Sequence, residues 1–213
     1  MVKALGSEAV EDLIPISDED LFSRYRDSAS PDDFNELVRR YERELFRYLA
    51  RYLGNPALAE DVFQNTFLQV HLKRGLYEDG RPVRPWLYSI ATHQAVDALR
   101  KAGRHPTVSL DRRVTSSGGE SDPGSLVDLL VGEASGPLAE LQEQERREWV
   151  TRSIEKLPET LRQTLILAYY QDMKYREIAE ILKIPVGTVK SRLHAALAKL
   201  QEMARASRQD GNG

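Results

Sequence analysis

Apolar positions recur at helical spacing along most of the chain. Ser30-Pro31-Asp32-Asp33 combines a hydroxyl N-cap, a proline at the first helical position and two carboxylates against the positive end of the helix dipole. Phe34, Leu37, Val38, Tyr41, Leu45, Tyr48, Leu49 and Tyr52 follow at three- and four-residue steps, so the spacing predicts one long helix that stops at Gly54-Asn55-Pro56. Asn55 and Pro56 open a second helix. Its buried face is Ala59, Val62, Phe63, Thr66 and Val70, its other side carries Glu60, Asp61, Gln64 and Asn65, and Gly75 is the expected stop. After a loop from Tyr77 to Arg84, Pro85 starts a third helix that runs to about Lys101. There Leu87, Ile90, Ala91 and Ala98 are expected to face inward, and Tyr88, Thr92, His93, Val96, Asp97 and Arg100 outward.

The pattern dissolves between Gly103 and Gly136. Thr115-Ser116-Ser117-Gly118-Gly119-Glu120-Ser121-Asp122-Pro123-Gly124 cannot bury enough apolar surface to offset chain entropy, and only Leu126 to Val131 forms an apolar island. Helical periodicity returns near Leu138 and continues to about Arg205, broken at Leu157-Pro158, near Gln171-Asp172-Met173 and at Lys183-Ile184-Pro185. No stretch alternates with period two. The expected fold is all-α, with two helical domains joined by a flexible linker. The boundaries are an acidic N-terminal segment 1–20, a first domain 21–102, a linker 103–139, a second domain 140–206 and a tail 207–213.

Length and composition agree with two small domains, since 213 residues exceed the usual span of about 150 for one. With 41% hydrophobic and 30% charged residues and a mean hydropathy of -0.49, the chain reads as a soluble globular protein. No run approaches the roughly eighteen apolar residues of a spanning helix, and the first twenty residues are acidic without an apolar signal core. A cytoplasmic protein without membrane insertion is expected. The absence of cysteine removes disulfides, thiolate zinc sites and a Cys nucleophile, and four dispersed histidines offer no metal-ligand spacing; no metal, cofactor or catalytic residue is expected.

The net charge of -3 hides a strong segregation. Residues 1–33 set three cations against nine carboxylates, and residues 105–145 set two against eight. The sign reverses over residues 81–104, where Arg81, Arg84, Arg100, Lys101 and Arg104 face only Asp97, and over residues 174–208, with eight cations against three acids. Charge alone is equally consistent with ordinary solvated helix faces.

Residues 174 to 202, KYREIAEILKIPVGTVKSRLHAALAKLQE, have the layout of a helix-turn-helix. Ile178, Ala179 and Leu182 pack the first helix, and Val189, Leu193, Ala196, Leu197 and Leu200 pack the second. Lys190, Ser191, His194 and, at the edge, Arg192 then project from the early turns of the second helix. Lysine donates to guanine acceptors or phosphates, serine to either, and arginine is the usual bidentate donor, so these side chains fit duplex DNA. A plain helical hairpin with a charged face shares the same spacing.

The stretch from Leu157 to Leu200, LPETLRQTLILAYYQDMKYREIAEILKIPVGTVKSRLHAALAKL, resembles the C-terminal DNA-binding domain of bacterial sigma factors of the sigma-70 family. Separately, AEDVFQNTFLQVH (Ala59 to His71) and PWLYSIATHQAVDALRK (Pro85 to Lys101) resemble the core-binding and promoter-melting helices of the N-terminal sigma domain. Their order, with a linker and no third domain between them, is that of the extracytoplasmic-function (ECF) subgroup.

This resemblance implies a promoter-reading subunit of RNA polymerase that is not itself an enzyme. Asp61, Gln64 and Asn65 match positions that dock on the clamp of core polymerase; read by themselves, Glu60 and Asp61 are solvated first-turn acids. Arg84, Trp86, Tyr88, His93, Asp97, Arg100, Lys101 and Arg104 match the surface that reads and melts the downstream, minus-10 element. A flipped base needs aromatic stacking, an edge to hydrogen-bond and cations along its backbone. Read by itself, Trp86 is a core residue. His93 stands where the family often has Asn, and His93 and Asp97 border the expected base pocket. Arg176, Lys190, Ser191, Arg192 and His194 match positions facing the upstream, minus-35 element. Lys183 stands where glycine is frequent; if the turn needs positive φ, lysine costs on the order of 1 kcal/mol there. Ala195 and Ala198 offer the DNA no functional group, leaving part of the specificity to DNA shape. The acidic linker suits a cation-lined path on polymerase and equally an ordinary solubilising linker. The partners implied are core RNA polymerase, promoter DNA and an anti-sigma factor. Two other readings are a sigma-like decoy that sequesters an anti-sigma factor, and a stand-alone helix-turn-helix regulator.

Overall fold

The computed structural model describes residues 16–103 and 137–210, with side chains described through 16–103 and 145–207. Residues 1–15 of the N-terminal segment, Arg104, and linker residues up to 136 with the Leu126–Val131 island therefore lie outside the described residues.

Four helices build the first domain: α1 (Asp18–Ser28), α2 (Pro31–Leu53), α3 (Pro56–Lys73) and α4 (Val83–Lys101). Local chemistry fixes most of their ends. Ser17 caps α1 by accepting from the Asp20 amide, and Ser30 accepts from the Asp33 amide ahead of Pro31 in α2. Gly54 closes α2 at φ 63°, a left-handed conformation that costs glycine little, and Asn55 then accepts from the amides of Ala57 and Leu58 to start α3. The expected stop at Gly75 is displaced: α3 ends at Lys73 and a 3-10 turn, Arg74–Leu76, follows. The third predicted helix also starts earlier than Pro85. Val83 is its first residue because the Glu19 carboxylate of α1 accepts from the Val83 amide at 3.1 Å, a cap supplied by another element.

The core of this domain is unusually aromatic. Phe22, Tyr25, Tyr48, Tyr52 and Tyr88 are all but fully buried among Leu21, Leu37, Leu45, Leu49 and Leu87. Each buried hydroxyl needs a partner. Tyr48 shares a hydrogen bond of 2.8 Å with Thr92, Tyr25 pairs with the His71 ring at 2.6 Å, and Tyr41 donates to Asp18 at 2.6 Å. These bonds explain a correction. Tyr88 and Thr92, expected on the outer face of α4, are buried, because α2 and the second domain together cover that side.

The second domain comprises α5 (Pro137–Glu155), α6 (Glu159–Leu165), a π-helical turn (Ile166–Tyr170), α7 (Tyr175–Leu182) and α8 (Val186–Asp210). The breaks fall where the sequence places them. Ile178 and Ile181 of α7 pack against Val189, Leu193 and Ala196 of α8, and α6 lies against α8. Lys183 ends α7 at φ 53°, so the turn does need a positive φ at this lysine, and its neighbour Ile184 donates to the Ala179 carbonyl at 3.1 Å.

Candidate nucleic-acid and polymerase interfaces

Helix α8 presents its first turns to solvent. Lys190, Ser191 and His194 are exposed on one face and Arg192 is half-buried at its edge. The Ser191 hydroxyl donates to the Thr188 carbonyl at 3.1 Å, which orients it while leaving its lone pairs free to accept. Arg176 is exposed near the start of α7, so all five residues expected at the upstream element belong to one helix-turn-helix. Opposite this face, Val189, Leu193 and Leu200 are buried, and the same helix both holds the domain together and offers a cationic edge.

The downstream surface is more divided. His93, Asp97, Arg100 and Lys101 are exposed along α4. His93 Nδ1 lies against the Ser89 carbonyl; a carbonyl only accepts, so Nδ1 carries a proton there and Nε2 is the ring nitrogen left for other partners. Trp86 is partly buried and meets Phe22 and Tyr77 edge-on, with ring centroids 5.0 and 5.6 Å away. It is built into the core, as its pattern by itself suggested. The Arg84 guanidinium, half-buried, donates to Glu44 at 3.2 Å and to the Gln171 carbonyl at 2.8 Å. Tyr88 donates to the Gln171 side-chain oxygen at 2.6 Å, and burial pushes its hydroxyl pKa well up, so it stays a neutral donor.

On α3, Asp61, Gln64 and Asn65 are exposed. Gln64 donates to Glu60 at 3.1 Å and Asn65 to the Asp61 carbonyl at 2.8 Å, which holds both amides along the helix surface. A crevice of about 360 Å³ between α3 and α4 is lined by Asp61, Asn65, Gln94, Asp97 and Lys101, so residues expected to meet polymerase and promoter border one cavity. The residue pattern also hid part of this face. Leu68 and Leu72 are 52% and 62% exposed and continue the Asn65 surface by one and two turns. Their signal was present: both sit off the Ala59, Val62, Thr66 and Val70 stripe, where a solvated helix carries polar residues.

The fold and these faces define a two-domain helical protein whose second domain carries a helix-turn-helix with an exposed cationic face. Residues 37–105 match the family sigma-70 region 2, and residues 147–200 match sigma-70, region 4. The chain is 31% identical over 174 residues to the ECF RNA polymerase sigma factor SigW of Bacillus subtilis, covering 82% of this chain and 90% of that protein. It is 33% identical over 163 residues to the ECF RNA polymerase sigma-E factor of Salmonella typhi, covering 76% and 82%. Among solved structures, CnrH in complex with the cytosolic domain of CnrY shares the fold at a TM-score of 0.61 and 23% identity, over 89% of this chain and 97% of that one. RpoE in complex with the anti-sigma factor NepR from Bartonella quintana does so at 0.56 and 22%, over 82% and 98%. The chain belongs to the ECF subgroup of the sigma-70 family.

Proposed function

We propose that this protein binds core RNA polymerase and directs initiation at promoters whose minus-35 element is read by α8 and whose minus-10 element is read and melted by α4 and the loop before it. The carrying observation is the coexistence, in one chain and in family order, of the open cationic face of α8 and the exposed α3–α4 surface. Lys190, Ser191, Arg192, His194 and Arg176 contact the upstream duplex. His93, Asp97, Arg100, Lys101, Arg84 and Arg104 serve the melted strand, with Tyr88 and Trp86 as aromatic support from beneath. His93 Nε2 meets a base edge of the melted strand. Asp61, Gln64 and Asn65, extended by Leu68 and Leu72, dock on polymerase. Residues 21–102 and 140–206 form the two functional units, with 103–139 as the linker.

The chain makes no phosphodiester bond itself and works in the cytoplasm, where polymerase and chromosome are. An anti-sigma factor regulates it, in keeping with the NepR complex of its structural relative. A decoy that no longer opens promoters would have lost its DNA-facing cations, whereas Lys190, Arg192, Arg100 and Lys101 are all basic. Transcription by sigma-free bacterial core polymerase on genomic fragments, with RNA 5′ ends mapped, tests the reading. Discrete start sites that depend on the added chain are expected. Binding to core without start sites would move the assignment to a decoy, and binding to neither core nor DNA would end it.

A further inference from the structure

One stripe of α2 belongs to neither promoter-reading face. Arg43, Arg47 and Arg51 recur every fourth residue, so they follow one another at steps of about 6 Å along one side of the helix. Together with Arg40 and Arg84 they line a groove of about 1100 Å³, whose far wall is the end of α5 and the residues that close the π-helical turn. Arg40 is answered by Asp18 and Glu36, and Arg84 by Glu44. Arg43, Arg47 and Arg51 have no ion pair among the described residues.

Arg51 feels this crowding. It is half-buried, with its guanidinium 3.7 Å from the centroid of the Tyr170 ring. Burial lowers its pKa, an effect that Tyr170 opposes and Arg47 reinforces. A partly desolvated guanidinium beside a second one is stabilised by an anion brought between them. Phosphate oxygens match the planar guanidinium fork two at a time, and three such forks in a row suit linked phosphates better than a single one. The far wall has the opposite sign. Glu155 and Asp172 are exposed there, and Asp172 is held at φ 49°, a left-handed conformation of the kind that concentrates at binding sites. Carboxylates repel a bare phosphate chain but accept from amino and ring N–H groups, which nucleobases carry.

We propose that this groove binds a nucleoside polyphosphate, with the phosphates on Arg43, Arg47 and Arg51 and the base toward Tyr170, where Glu155 and Asp172 accept from its amino group. Guanine and adenine carry that group and uracil does not, so the far wall selects among nucleotides as well as holding them. At about 1100 Å³ the groove matches the upper end of small-molecule sites, which run to roughly 1,000 Å³. It is separate from the promoter-reading residues: Lys190, Ser191 and His194 of α8 and His93, Asp97 and Arg100 of α4 do not line it, and Arg84 alone is shared. The inference therefore goes beyond the function proposed above and does not rest on it.

Calorimetric titration of the full chain with GTP, ATP, UTP and inorganic triphosphate, at about 0.15 M ionic strength, tests the site. GTP and ATP should bind about tenfold more tightly than UTP or inorganic triphosphate, the effect of one charge-assisted hydrogen bond. Arg47→Gln, at an exposed position, should weaken all four ligands about tenfold. Asp172→Asn keeps a residue that tolerates left-handed backbone, and it should weaken GTP and ATP while strengthening inorganic triphosphate. Circular dichroism checks that each variant folds. No binding of any ligand at about 1 mM would overturn the proposal, as would equal affinity for inorganic triphosphate and the nucleotides, because nothing would then read a base. Loss of binding in Lys190→Ala with Arg192→Ala, but not in Arg47→Gln, would place the anion on the DNA face and overturn the groove. Nucleotide binding without chain-dependent start sites would sink the sigma reading alone, and start sites without nucleotide binding would sink this site alone.

Discussion

Helices α4 and α8 carry the promoter contacts proposed for this protein, and they stand in opposite circumstances. The reading face of α8 is open, with Lys190 and His194 exposed and Arg192 half-buried at the edge, and its apolar side packs the core of a small domain. The reading side of α4 is shared: His93, Asp97 and Arg100 are outside, while Tyr88 and Thr92 of the same helix are locked to α2 and to the second domain. A duplex groove is a preformed shape that a rigid exposed helix can enter without rearrangement. A melted strand has to be accepted base by base, and the helix that accepts it is also a structural member of its domain.

Breaking the shared side should have the largest consequence. Tyr88→Ala removes a fully buried ring and its hydrogen bond to Gln171 of the second domain, and is expected to destabilise the first domain by about 3–5 kcal/mol. Trp86 reports on the first domain and Trp149 on the second, so denaturation followed in a Trp149→Phe background isolates the effect. A loss below about 1 kcal/mol would mean that Tyr88 is not part of the core.

On the open side the effect should be on binding alone. Lys190→Ala with Arg192→Ala is expected to cost about 1–3 kcal/mol for each base-reading contact removed, and to lower the salt dependence of upstream duplex binding, with polymerase association unchanged. Equal loss of both activities would show that the domain had unfolded. A smaller change sharpens the comparison within the helix-turn-helix itself: Lys183→Gly relieves a left-handed non-glycine residue and should stabilise the second domain by up to about 1 kcal/mol, leaving the first unaffected. Destabilisation by thermal melting would contradict that account of the turn.

The smallest effect concerns acid. Hydrogen bonds from Arg39 and Arg40 hold the Glu36 carboxyl well below its usual value, down to about 2. A carboxylate whose pKa is lower folded than unfolded contributes stability above the unfolded value of about 4.5 and loses it as pH falls toward 2. Glu36 is solvated, so the contribution is slight, and Glu36→Gln should flatten only the acid end of the stability profile. A change in stability at pH 3 larger than at neutral pH would contradict the sign.

Much of this was legible in the residues. Ser30-Pro31, Gly54-Asn55-Pro56 and the breaks at 157–158, 171–173 and 183–185 are local signals, and the helices obey them. What failed was non-local. Glu19 extends α4 back to Val83 from 64 residues away, and no pattern around Pro85 records that. Tyr88 and Thr92 look solvent-facing only if α4 has one partner; it has α2 on one flank and α7 beyond. Leu68 and Leu72 were visible as apolar residues off the stripe, yet periodicity weighs what is buried and passes over what is exposed.

The central claim is that α8 reads duplex and α4 reads the melted strand. The most direct measurement takes one reconstituted holoenzyme on a mapped promoter and scores two quantities together: affinity for the upstream duplex fragment, and permanganate reactivity of thymines in the downstream element. Lys190→Ala with Arg192→Ala should lower the affinity and leave reactivity intact once enough holoenzyme is bound, whereas His93→Ala should leave the affinity intact and lower or shift the reactivity. If both variants depress both quantities in the same proportion, the division of labour between the two helices is wrong.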